Sequence, residues 1–265
     1  MTSWLILAAG GLVSGILAGL LGIGGGVLLV PLMVAVGFSS VQAVATSTLA
    51  ILMSSVSGSW QNWRMGYLDL SKVISLGLPA VITAQLGVLM TKLVPQYILL
   101  AGFGALLLFN IYLFKLRQQL VKPESKRGGT HPAGNRAFLQ LNPTLARALT
   151  GGCAGFLAGA FGVGGGVIMV PFQMILLGEP IKVAIQTSLG VVTITAISAC
   201  VGHALSHNVM WLAGLCLGLA GLVGAQIGTR YLPKIPNTIV GKAFQSLLAI
   251  LGIYVFWQAW QKFPN

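Results

Sequence analysis

The 265 residues are 56% hydrophobic and only 7% charged, with a mean hydropathy of +0.90 and a formal net charge of +12. A soluble domain carries about a quarter charged residues, so this composition excludes a water-soluble fold and makes lipid the solvent for most of the chain. The positive excess would suggest nucleic acid in a soluble protein, but here the basic residues lie between apolar segments, where they orient a membrane protein and meet anionic headgroups.

The first apolar block, 4–36, is too long for one span. Its roughly 32 residues would reach about 48 Å as a helix, against about 30 Å of hydrocarbon. It is also interrupted by Gly22-Ile23-Gly24-Gly25-Gly26, and glycine costs a helix up to about 1 kcal/mol per residue. The block therefore reads as two short helices meeting at a Gly-rich break, a hairpin that returns to its starting face. Blocks 43–63, 73–92 and 96–114 read as single spans. A polar, Pro/Gly-rich linker follows over 115–146, with Lys122-Pro123-Glu124, His131-Pro132 and Asn142-Pro143. Beyond it come 147–177, again with a break at Gly162-Val163-Gly164-Gly165-Gly166, then 183–205, 211–229 and 237–258. The start, Met1-Thr2-Ser3, lacks the basic region of a secretory signal.

The two runs of blocks are copies. Gly15 to Val27 recurs as Gly155 to Val167, and each continues to a Val-Pro pair, Val30-Pro31 and Val170-Pro171. Thr46-Ser47 matches Thr187-Ser188, Ala84-Gln85-Leu86-Gly87 matches Ala225-Gln226-Ile227-Gly228, and Ile111-Tyr112 matches Ile253-Tyr254, all at offsets of 140 to 142. The chain divides into a first transmembrane repeat (1–114), the linker (115–146) and a second repeat (147–265). With the linker cytoplasmic and each first block a hairpin, thirteen basic residues lie inside and two, Lys92 and Lys262, outside. If each first block crossed once, the division would be ten and five. The positive-inside rule favours the hairpins, which make the halves inverted, a plan common among secondary transporters. The expected fold is all-α and polytopic: two inverted repeats, each a broken hairpin followed by three transmembrane helices.

The three acidic residues, Asp69, Glu124 and Glu179, fall in loops or the linker. No carboxylate lies within a span, where it would be a functional candidate. The spans offer hydroxyls, amides and unwound backbone, neutral donors that suit an anion. A helix starting inside the membrane exposes unpaired N–H groups and a partial positive end, and such ends attract oxyanions. Gly24, Gly25 and Gly26, with Gly164, Gly165 and Gly166, are therefore candidate substrate-binding residues. Gly15 and Gly19, spaced as GxxxG, read instead as helix packing. Thr46, Ser47, Thr187 and Ser188 precede or open apolar helices at Leu49 and Leu189, and could cap them or donate to an anion. Gln85 and Gln226 sit mid-span, where an amide must find a partner; an anion and an interhelical hydrogen bond are both open. A carrier, unlike a scaffold, should not tolerate serine or alanine at Gly25 and Gly165.

His203 aligns with Asn62, and His207 lies one turn on. Two histidines without a third ligand make no zinc site, so no metal or cofactor is expected. Gating or proton sensing by His203 and Asn62 is one reading; a helix-end residue at the periplasmic interface is the other. Trp60, Trp63, Trp211, Trp257 and Trp260 read as interface anchors, and Cys153, Cys200 and Cys216 as small buried side chains. Neither a Walker A loop nor a dinucleotide fingerprint fits the glycines, and no catalytic set is present, so the chain is not read as an enzyme.

The duplicated segments Leu21-Gly22-Ile23-Gly24-Gly25-Gly26-Val27 and Phe161-Gly162-Val163-Gly164-Gly165-Gly166-Val167, each ending in Val-Pro and followed by Thr-Ser and Ala-Gln-x-Gly, resemble the sulfite exporter TauE/SafE family across nearly the whole chain except the linker. The resemblance implies a permease of the bacterial inner (plasma) membrane for sulfur-containing anions such as sulfite or sulfoacetate. The expected partners are a small anionic substrate and the lipid bilayer, with nucleic acid rejected and a homo-oligomer left open. Export is the leading expectation. Uptake of sulfate or thiosulfate, or an anion channel, are the alternatives. The two breaks, with the hydroxyls and amides named above, are expected to line a cage between the halves.

Overall fold

In a computed structural model, described over residues 2–120 and 142–261, every regular element is helical. The first half comprises α1 (Thr2–Leu21), α2 (Gly26–Ala35), α3 (Ser40–Arg64), α4 (Leu70–Leu93) and α5 (Gln96–Leu120). The second comprises α6 (Pro143–Phe161), α7 (Gly166–Leu176), α8 (Ile181–Leu205), α9 (Trp211–Tyr231), a 3-10 turn (Leu232–Lys234) and α10 (Asn237–Gln261). Among the described residues, α1, α3, α4, α8, α9 and α10 contain stretches long and apolar enough to cross a membrane. The ends of the expected linker are helical: α5 runs past 114 to Leu120, and α6 starts at Pro143 rather than 147, because Asn142 caps it by accepting from the Thr144 N–H. The rest of the linker, with Glu124, lies outside the described residues.

The breaks form where the glycines predict. Gly22, Gly24 and Gly25 have φ of 67°, 75° and 80°, and Gly162, Gly164 and Gly165 have 62°, 77° and 72°. Three left-handed residues in four positions exclude any side chain larger than hydrogen without strain. Beyond each break the chain doubles back. Ser14 Oγ on α1 donates to the Gly25 carbonyl at 2.8 Å, and Leu32 of α2 packs on Gly10 of α1. In the second half Gly165 packs on Ala154 of α6.

The halves exchange helices. α1 lies along α9, and α6 lies along α4. Gly11, Gly15 and Gly19 meet Leu217, Gly221 and Ala225 in that order, and Gly151, Gly155 and Gly159 meet Leu76, Ala80 and Ala84, so both pairs run parallel. Their backbones touch because glycine has no Cβ. In lipid, where apolar burial between helices gains little, such contact supplies the association. The packing expected of Gly15 and Gly19 is the role observed. At the centre α3 and α8 pack on each other and are the most buried spans, while α5 packs on α10. Outward-facing leucines and isoleucines such as Leu78, Ile82, Leu219 and Ile253 are exposed, as are all five tryptophans named above. Cys200 is buried as expected, but Cys216 is only half-buried and Cys153 is exposed, the latter because it stands about half a turn from Gly151 and Gly155, the residues of α6 that meet α4.

Candidate functional site

The two breaks meet at the centre of the molecule. A Cβ built on Gly164 would lie 3.6 Å from the Gly24 Cα, and both glycines face the same two side chains, Ile51 of α3 and Val192 of α8. Ile51 and Val192 are themselves 141 residues apart, so the contact repeats the internal duplication. Gly26, which opens α2, packs on the Gly162 carbonyl at the end of α6, and Gly166, which opens α7, packs on the Gly22 carbonyl at the end of α1. Each partial positive helix start thus rests on the partial negative helix end of the other half.

The serine pair completes the lock. Ser47 Oγ on α3 donates to the Gly162 carbonyl at 3.0 Å, and Ser188 Oγ on α8 donates to the Gly22 carbonyl at 2.9 Å. Thr195 Oγ1 donates to the Gly164 carbonyl at 3.4 Å. The expected cage is therefore not formed in this conformation. The breaks touch, their glycines are buried, and the serine hydroxyls are spent on carbonyls. Nor do Thr46-Ser47 and Thr187-Ser188 open helices: α3 begins at Ser40 behind a Ser39–Gln42 capping box, and α8 begins at Ile181, which puts both pairs in the second turn. Thr46 Oγ1 instead accepts from the Met210 N–H, which caps α9, and Thr187 is buried. Substitution at Gly25 or Gly165 cannot separate a carrier from a scaffold, since left-handed φ and contact with the preceding helix forbid a side chain in either case.

Gln85 takes the interhelical role, donating from Nε2 to the Ser198 carbonyl (2.6 Å) and hydroxyl (2.9 Å), while Gln226 is half-buried on α9. His203 stands in the last turn of α8, as expected of a helix-end residue, but it is fully buried, with Nε2 3.1 Å from the Gly159 carbonyl, because α8 packs against α6 there. Asn62 is equally buried on α3. His207 lies in the turn after α8 with φ 54°, off the helix that was to align it with His203. Among the described residues, no three His, Cys, Asp or Glu side chains gather as metal ligands. Asp69 caps α4 and Glu179 pairs with Lys72 at 2.6 Å, both between helices as expected.

A model of the sulfite exporter TauE/SafE family matches residues 7–255. The chain belongs to that family. Its relatives include the probable membrane transporter protein YunE of Bacillus subtilis, 25% identical over 97% of this chain and 98% of that one. A probable membrane transporter protein of Xylella fastidiosa is 27% identical over 96% of this chain and 95% of its own. One of Methanocaldococcus jannaschii is 22% identical over 92% of both. As a member of the family the chain is a multi-pass membrane transporter of the plasma membrane, not an enzyme.

Sequence reading missed the residues that lock the breaks. Ser14, Thr195, Ile51 and Val192 carry no motif. The repeat places Ile51 and Val192 at equivalent positions, but an apolar residue in an apolar span carries no signal. Ser14 has no hydroxyl counterpart, since Ala154 stands at its place.

Proposed function

We propose that this transporter exports a small sulfur-containing anion, sulfite or an organosulfonate such as sulfoacetate, through two inverted repeats with the linker cytoplasmic. The carrying observation is that α2 and α7 both start at one central point, where Gly24 touches Gly164, and no carboxylate stands within a described helix. The hairpins and the exchanged pairs α1–α9 and α4–α6 support the inverted arrangement. In the conformation described, each helix start is neutralised by the opposite half's helix end, so the site is closed. Rocking of the halves would part the breaks, free the N–H groups of Gly24–Gly26 and Gly164–Gly166, and release Ser47 and Ser188 to donate to an oxyanion. Thr46, Thr187, Gln85 and Gln226 would surround that opening. A monoanion leaving a negative-inside cell gains about 2.3 kcal/mol per 100 mV, enough to drive export. In proteoliposomes under an imposed potential, the purified protein should move sulfite or sulfoacetate with saturable kinetics. Flux of neither overturns the proposal, and unsaturable conductance would make the protein a channel.

A further inference from the structure

The two halves treat the end of their first helix differently. Because the chain leaves α1 at Gly22 and α6 at Gly162, carbonyls in the last turn of each lose their in-helix donors. In the second half the Gly159 carbonyl is taken by the fully buried His203, whose Nε2–H donates across 3.1 Å. The duplication makes Gly19 the counterpart of Gly159, Asn62 that of His203, and Thr229 that of Val88. Asn62 is 1% exposed, yet neither Oδ1 nor Nδ2 has a hydrogen-bond partner. Thr229 is fully buried, and its hydroxyl has none either. That hydroxyl lies 2.8 Å from where a Cβ on Gly19 would stand and 3.0 Å from where one on Gly58 would. Gly58 is one turn before Asn62 on the same face of α3. Where the second half has an imidazole and a valine, the first has an amide and a hydroxyl, buried and unsatisfied. Such groups are destabilising unless something completes them.

We infer that Gly19, Asn62 and Thr229 form a sodium site. The broken end of α1 carries partial negative charge, and a backbone carbonyl, an amide oxygen and a hydroxyl are neutral hard oxygens of the kind that hold sodium at the C-terminal ends of broken helices. The sister site supports the sign: there the same carbonyl faces an N–H, the protein's own electropositive group. The neighbouring charges along α3 and α9, Arg64 and Arg230, are both exposed. The site does not depend on which anion is carried.

Its test is sodium binding by the intact purified protein, apart from any flux. Thermal unfolding in sodium chloride against choline chloride at equal ionic strength should show a saturable, sodium-specific rise of several degrees. Thr229→Val, which copies the second half's valine in shape, should abolish the rise. So should Asn62→His, which installs the second half's own imidazole, and it keeps the comparison available if the valine variant does not fold. Equal melting in both salts, the result of a water-only occupant, overturns the inference. So does a sodium effect that survives both substitutions.

Discussion

Ser47 and Ser188 are the side chains through which each half holds the other's broken helix. Each also shares its proton with a carbonyl of its own helix, Val44 and Ile185, at 2.9 Å, so removing one hydroxyl does not strip a residue that acts alone. Interhelical hydrogen bonds of this kind contribute about 0.6 kcal/mol on average in membranes. Ser47→Ala and Ser188→Ala should therefore each lower stability by no more than about 1 kcal/mol, and by similar amounts, because the two sites are equivalent. Thermal unfolding in detergent checks both. A large loss in one and none in the other would show that the lock is not symmetric. The serines were legible as polar residues at matched positions. Their direction, onto carbonyls of the opposite half, was not, because the sequence does not say which half supplies the acceptor.

At the scale of helices, glycine acts in two ways that a substitution series separates. Gly155 on α6 faces α4, where a Cβ would lie 2.5 Å from both the Ala80 Cα and the Thr83 hydroxyl. Gly152, on the same helix, meets nothing closer than 3.7 Å. Gly155→Ala should be destabilising by about 1–3 kcal/mol through overpacking. Gly152→Ala should be neutral or stabilising by up to about 1 kcal/mol, since alanine is the better helix former. Unfolding midpoints of the two variants measure the difference. Equal effects would mean that α6 and α4 are not held backbone to backbone.

At the scale of the whole molecule, the duplication is not matched by equal fastening of both faces. Lys72 at the start of α4 pairs with Glu179 in the loop between α7 and α8, so among the described residues one ion pair joins the halves. Its counterparts by the repeat, Ala213 and Phe38, cannot pair. With side chains 31% and 15% exposed, the pair contributes at most about 1 kcal/mol. That is a small part of a domain's stability, yet enough to bias two conformations of nearly equal energy. Glu179→Gln should leave the melting temperature almost unchanged while loosening that face. The readout is faster alkylation of a cysteine placed at Val73, which is buried just inside the pair, in a background lacking the native cysteines. Unchanged labelling would remove the latch from the account.

The sequence alone determined the solvent, the duplication, the breaks and the helices, because hydropathy, periodic recurrence and glycine's conformational freedom are properties of local chain. Its helix starts erred where capping decided them: the Ser39–Gln42 box moved α3 ahead of Thr46, and Asn142 moved α6 back into the expected linker. Only the tertiary structure decided that the two breaks meet and close on each other, that α1 belongs beside α9, and that His203 is a buried donor while the Asn62 side chain has no hydrogen-bond partner. Those facts depend on which groups come together across more than a hundred residues. A hydroxyl, an amide or a glycine looks the same in sequence whether it faces a ligand, a neighbouring helix or a carbonyl of the other half.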